Sequence, residues 1–144
     1  MKVSETISNI ICEKFKNCDR EYGGILGGRN DVITEFVFDK GLENENIGTY
    51  IPDVCFLNDC IDKWQSQNIN FYGIIHNHLT EYAELSSEDV KCIEKIMNAM
   101  PKYMEYLYFP VVSSNHILKV FKAIRTERGI RIISENISII ERSV

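Results

Sequence analysis

The chain has 144 residues, enough for one domain with a substantial core. Its 44% apolar and 26% charged composition is that of an ordinary globular protein, and a net charge of −5 with no Lys/Arg cluster argues against binding a phosphate backbone. No apolar run reaches the length of a membrane span, and the opening MKVSETISNIICEKF lacks a signal peptide's uninterrupted apolar segment, so the expectation is a cytoplasmic protein with no membrane or nucleic-acid partner.

In chain order, Val3, Ile7, Ile10, Ile11 and Phe15 recur at helical spacing and predict a first helix. YGGILGG and VITEFVFD predict a β-hairpin turning at Arg29–Asn30, followed by the polar loop KGLENENIGTY. Pro52 and Asp53 open a second helix whose apolar stripe is Val54, Leu57, Ile61 and Trp64. INFYGII is nearly all apolar, as in a strand buried on both faces. SSEDVKCIEKIMNAM predicts a third helix with Val90, Ile93, Met97 and Met100 on one side, stopped by Pro101. YLYFPVVS, ILKVFKAI and IRIIS predict three further strands. The order αββαβαβββ, without repeats or linkers, predicts a single α/β domain over residues 1–144, a central mixed sheet flanked by helices.

Five cysteines, at positions 12, 18, 55, 60 and 92, form no Cys-x-x-Cys pair. They predict reduced thiols packed mostly in helices rather than a zinc ribbon or a thioredoxin-type centre.

The chemistry concentrates in GIIHNHLTEYAELSSEDV, residues 73–90. Side chains alternate across a strand, so His76 and His78 project to one side where the strand runs into a loop, and Asn77 points away. Ligands of α/β sheets bind at such strand ends. Ser86 is the expected N-cap of the third helix and Asp89 falls in its first turn, where the helix dipole favours a carboxylate. Two nitrogens and one oxygen would leave the fourth position of a tetrahedral zinc to water, as in catalytic sites. Each half has a plainer reading alone: Ser-x-x-Asp is a capping box, and histidines at strand ends often only hydrogen-bond. Their combination between a buried strand and a helix favours the metal. Upstream, Glu21 stands at the entrance of the first strand, where a lone glutamate is usually solvated. Metal-dependent hydrolysis needs a base, however, and the other pieces supply none.

Glu-x-x-Gly-x-Leu-Gly followed by His-x-His-x7-Ser-x-x-Asp, spanning Glu21 to Asp89, resembles the JAMM motif of the JAB1/MPN/Mov34 metallopeptidases. The flanking elements fit the same fold, similar to that of cytidine deaminases, so the resemblance covers nearly the whole chain. It implies one Zn2+ per chain ligated by His76, His78 and Asp89, with Glu21 as general base and acid and Ser86 helping to hold the oxyanion. The sequence departs from the family's usual pattern at Leu79, where proline commonly follows the second histidine. That puts the rigidity of the loop in question but not metal binding. Asn77 replaces the serine usual in eukaryotic members and resembles prokaryotic versions.

The resemblance implies hydrolysis of a peptide or isopeptide bond after the C-terminal glycine of a ubiquitin-like protein, in deconjugation or precursor processing. The compact chain is most similar to stand-alone prokaryotic members of bacterial conjugation and antiviral defence operons, with E1-like and E2-like enzymes encoded nearby. The loop GLENENIGTYIPD is the candidate substrate clamp, and a solvated connection is an equal alternative. The rival readings are a peptidase of sulfur-carrier proteins and a non-catalytic MPN-type scaffold. A zinc nucleobase deaminase would need His-x-Glu and Pro-Cys-x-x-Cys, which the chain lacks.

Overall fold

The computed structural model describes residues 1–141. Along the chain the elements are β1 (Lys2–Ser4), α1 (Glu5–Lys14), β2 (Gly23–Arg29), β3 (Val32–Asp39), α2 (Val54–Ser66), β4 (Asn70–Asn77), α3 (Ser87–Ala99), β5 (Tyr106–Val112), β6 (Leu118–Thr126), β7 (Gly129–Glu135) and β8 (Ser138–Ile140). The strands form one mixed sheet in the order β7-β6-β5-β4-β2-β3-β1-β8. β1 runs parallel to β3 and β8, β4 runs parallel to β5, and the remaining pairs are antiparallel.

Helices cover both faces of this sheet. Ile7 and Ile11 of α1, with its C-cap Phe15, pack on Leu26, Ile33, Ile75 and Val112. On the other face, Leu57 and Trp64 of α2 and Ile93 and Met97 of α3 enclose Ile25, Phe71, Leu107 and Phe109. The predicted α/β layering and the two-sided burial of the central strand are therefore both present.

Four expectations need correction. Val3 belongs to β1 and not to the first helix, because Ser4 accepts a hydrogen bond from the Ile7 N–H and caps α1 after it. The strands β1 and β8 went unforeseen, since three residues are too few to display an alternation. The hairpin turns at Asn30–Asp31, one residue later than expected. Both have positive φ, 54° and 59°, the conformation that suits a two-residue turn between twisted strands and that Asn and Asp tolerate. Val54 is 60% exposed at the start of α2 and takes no part in its buried stripe, which consists of Leu57 and Trp64.

One irregularity decides where the strand-end histidines point. Leu26 of β2 pairs with Gly73 of β4, but Gly27 pairs with Phe71, so β4 carries one extra residue, Tyr72, across this bulge. The extra residue resets the alternation: Phe71 and Ile74 both enter the α2/α3 core, while Tyr72 and Ile75 face the α1 side. His76, two residues after Ile74, thereby comes out on the α3 face. Gly73 makes the bulge possible. Its φ is +153°, and a Cβ there would collide with the carbonyl oxygen of Tyr108.

Gly73→Ala is expected to lower unfolding free energy by about 2–4 kcal/mol, near the top of the usual range for one substitution. Gly129 also has positive φ, +119°, but a Cβ there meets nothing within 4 Å. Gly129→Ala should therefore cost only about 1 kcal/mol, the conformational part alone. Chemical denaturation of both variants checks this, and equal losses would mean that crowding at the bulge is unimportant.

Candidate metal centre

β4 and the start of α3 bring three side chains to one point. His76 Nε2 and His78 Nε2 lie 3.0 Å apart. Asp89 spans the pair, with Oδ1 3.3 Å from His76 Nε2 and Oδ2 3.1 Å from His78 Nε2. All three are largely buried. Glu21 joins them from the segment before β2, so that ligand atoms of Glu21, His76 and His78 lie within 4.8 Å of one another. This Glu/His/His group can hold a metal ion, and Asp89 is nearer still to both imidazoles.

Local hydrogen bonds set the orientation of each group. His78 Nδ1 lies 3.1 Å from the carbonyl oxygen of Tyr82. A carbonyl can only accept, so Nδ1 carries the hydrogen and the neutral ring directs the Nε2 lone pair toward His76. Such an outer hydrogen bond is the usual means of orienting a metal-binding histidine. Asp89 is fixed by a reciprocal capping box at the start of α3. Ser86 Oγ accepts from the Asp89 N–H at 3.1 Å, and the Ser86 N–H donates to Asp89 Oδ2 at 2.9 Å. The capping-box and metal readings of Ser-x-x-Asp are thus compatible: the cap aims the carboxylate.

The protonation preferences follow. Burial pushes the Asp89 carboxyl up, but hydrogen bonds from His76 and His78 outweigh it and hold Asp89 well below the usual carboxylate range. The hydrogen bond to Asp89 raises the His78 imidazole against the opposing effect of burial. For Glu21 burial dominates and raises the carboxyl, partly countered by His76 and His78. Two nitrogens and carboxylate oxygen in a small space are a donor set suited to zinc.

Asn77, between the two histidines, has a role that the motif did not disclose. It is 3% exposed and points to the α1 side. Its Oδ1 accepts the Tyr22 N–H at 2.7 Å, its Nδ2 donates to the Arg20 carbonyl at 3.2 Å, and its own N–H donates to the Tyr22 carbonyl at 3.2 Å. The residues on either side of Glu21 are therefore clamped to the strand that carries the histidines. The only advance signal was polarity: an asparagine facing a core must hydrogen-bond. Leu79 leaves its loop well fastened, because the His78 N–H donates to the Val112 carbonyl and the Ser114 N–H to the Thr80 carbonyl, each at 2.8 Å.

Among the described residues no thiol belongs to the group that could hold a metal. Cys12, Cys55 and Cys92 are exposed on helices, which corrects the expectation of packed cysteines, and Cys18 and Cys60 are partly buried. Among the described residues no helix is long and apolar enough to cross a membrane.

Neither a protein-family profile nor a curated protein sequence matches the chain. Solved structures do. A solution structure of a protein from Desulfitobacterium hafniense aligns with a TM-score of 0.69 at 16% identity, covering 98% of this chain and 93% of the other. A crystal structure of a JAB1/MPN domain protein from Archaeoglobus fulgidus aligns with a TM-score of 0.57 at 19% identity, over 98% and 100% of the two chains. A solution structure from Salinibacter ruber gives 0.57 at 15% identity, over 96% and 91%. The chain has a JAB1/MPN-like fold.

Asn77→Ala would strip the Tyr22 N–H and the Arg20 carbonyl of their buried partners, at about 1–3 kcal/mol for each unsatisfied group. Equilibrium denaturation should show a loss of at least about 2 kcal/mol. A loss under about 0.5 kcal/mol, typical of a surface position, would contradict the clamp.

Proposed function

We propose that this chain is a zinc-dependent peptidase that cleaves the peptide or isopeptide bond after the C-terminal glycine of a ubiquitin-like protein. The observation that carries the reading is the convergence of His76, His78 and Asp89 at one strand end with the Glu21 carboxylate beside them. His76, His78 and Asp89 would hold the metal. When bound, zinc supplies the Lewis acidity that makes water a nucleophile at neutral pH.

The chain's own residues do the rest. Glu21 accepts the proton of the attacking water at its carboxylate and returns it to the departing amine. Burial, which raises its pKa, suits it to hold that proton between the two steps. Ser86 Oγ already accepts the Asp89 N–H, which leaves its O–H free to donate to the oxygen of the scissile carbonyl. No covalent intermediate is required.

Exposed apolar residues near the Glu21 segment support a protein substrate. The loop after β3 and the first turn of α2 expose Leu42, Ile47, Ile51, Val54 and Phe56, and Tyr82 is exposed beyond His78. This apolar rim suits an extended tail whose glycines let its backbone come close to the Glu21 segment. E1-like and E2-like enzymes are the expected functional partners, and the cytoplasm the expected compartment.

The test is cleavage of a fusion in which a ubiquitin-like domain ending in Gly-Gly precedes a reporter, assayed in a single turnover. A chelator should abolish cleavage and added zinc restore it. Glu21→Gln should keep fold and zinc while lowering the rate by about two to four orders of magnitude, the usual range for a general acid/base. Near-normal cleavage by that variant would place the base elsewhere, and loss of its zinc would make Glu21 a ligand.

A further inference from the structure

The segment bearing Glu21 is held from two sides, and the second has no part in the histidine motif. Asp39 ends β3 directly opposite Gly23, the first residue of β2. Asp39 is 4% exposed, and its carboxylate accepts three hydrogen bonds: from the Gly41 N–H at 2.9 Å, the Tyr50 hydroxyl at 2.6 Å and the Asp53 N–H at 3.0 Å. Gly41 and Asp53 stand at opposite ends of the loop between β3 and α2, and Asp53 is the N-cap of α2. One buried carboxylate therefore ties the loop shut at its base. All three partners are donors, so the site fits an anion and no neutral isostere equally well. The Tyr50 ring lies against Gly23, where a Cβ would run into it.

The middle of the loop reaches Glu21. The Ile47 carbonyl accepts the Glu21 N–H at 2.8 Å, and the Asn44 carbonyl accepts from the Arg20 guanidinium at 3.0 Å. A Cβ on Gly48 would lie 3.9 Å from Glu21 Oε2, so a side chain at this point of the loop would reach the carboxylate. Within the loop, Asn44 Oδ1 accepts the Asn46 N–H and Asn46 Oδ1 accepts the Gly48 N–H, each at 2.9 Å. These Asx contacts stiffen the middle of the loop.

We propose that Asp39 is a positioning residue for Glu21, acting through the 40–53 loop that it closes; the proposal rests on the peptidase reading for its effect on rate. Glu21 is held to β4 by Asn77 on one side and to the loop by Asp39 on the other. Releasing the loop leaves the metal ligands in place, because none of His76, His78 and Asp89 is bonded to it, and lets the Glu21 carboxylate wander. A misplacement on the order of 1 Å costs about a hundredfold in rate.

The experiment has two arms using Asp39→Asn, which sets an amide donor against donor groups, and the milder Tyr50→Phe. In the first arm, amide hydrogen exchange is followed by NMR on the whole chain. The Glu21 N–H should exchange about tenfold faster or more in Asp39→Asn, by local opening of the loop, while the Tyr22 N–H, held by Asn77, stays protected. In the second, cleavage is measured with and without Glu21→Gln. Asp39→Asn should lower turnover by about 10–100-fold at full zinc occupancy when Glu21 is present and have almost no effect in the Glu21→Gln background, the non-additivity of residues acting through one another. Tyr50→Phe should move both readouts the same way by less, and decides the question if Asp39→Asn fails to fold. Equal losses in the two backgrounds would make Asp39 merely structural. An unchanged Glu21 amide would show that the latch does not reach that segment. If the unaltered chain cleaves nothing, the peptidase reading falls, and the exchange arm alone still decides whether Asp39 holds Glu21.

Discussion

Two imidazole nitrogens facing each other across 3.0 Å, with a carboxylate 3.1 and 3.3 Å away, form the constraint on which the site depends. The hydrogen bond to Tyr82 fixes the hydrogen of His78 on Nδ1, so in the neutral form a lone pair points into the cluster. Lone pairs and carboxylate oxygens repel at such distances unless positive charge lies among them. A protein rarely keeps that arrangement largely buried unless a proton or a metal ion resolves it, and the raised His78 pKa with the lowered Asp89 pKa is the form the resolution takes when protons serve.

The fold supplies this convergence through a strand bulge, a helix cap and two clamps. The bulge at Gly73 inserts one residue into β4 and so turns His76 toward α3. The capping box of Ser86 and Asp89 fixes the carboxylate at the helix start, where the dipole favours it. Asn77 faces the other way and fastens the chain on both sides of Glu21. The Asp39 latch closes the 40–53 loop over the same segment. Strand, helix cap and two clamps thus hold four side chains from three separate stretches of chain, the kind of preorganisation that positioning and electrostatic catalysis need.

Much of this was legible in the sequence, for physical reasons that differ by element. His-x-His at the end of an apolar strand and Ser-x-x-Asp ahead of an apolar stripe encode their directions through the periods of strand and helix, so the meeting of His76, His78 and Asp89 could be anticipated. Glu21 was found through resemblance and chemical need; its position follows from pairings over 55 residues that no local pattern reveals. Asn77 and Asp39 were missed as clamps because their partners are mostly backbone groups, which leave no trace in composition. The strands β1 and β8 were missed because they exist only by pairing with each other and with β3. Gly73 was visible as a glycine in a strand, a signal of a bulge, but its collision with the Tyr108 carbonyl requires the neighbouring strand.

The central claim is that His76, His78 and a carboxylate, and no thiolate, form the metal shell. X-ray absorption at the zinc edge of the metal-loaded protein tests it most directly. The account predicts a first shell of nitrogen and oxygen at about 2.0–2.1 Å with the outer scattering of two imidazoles. A sulfur contribution at about 2.3 Å, or a shell with no imidazole, would contradict it.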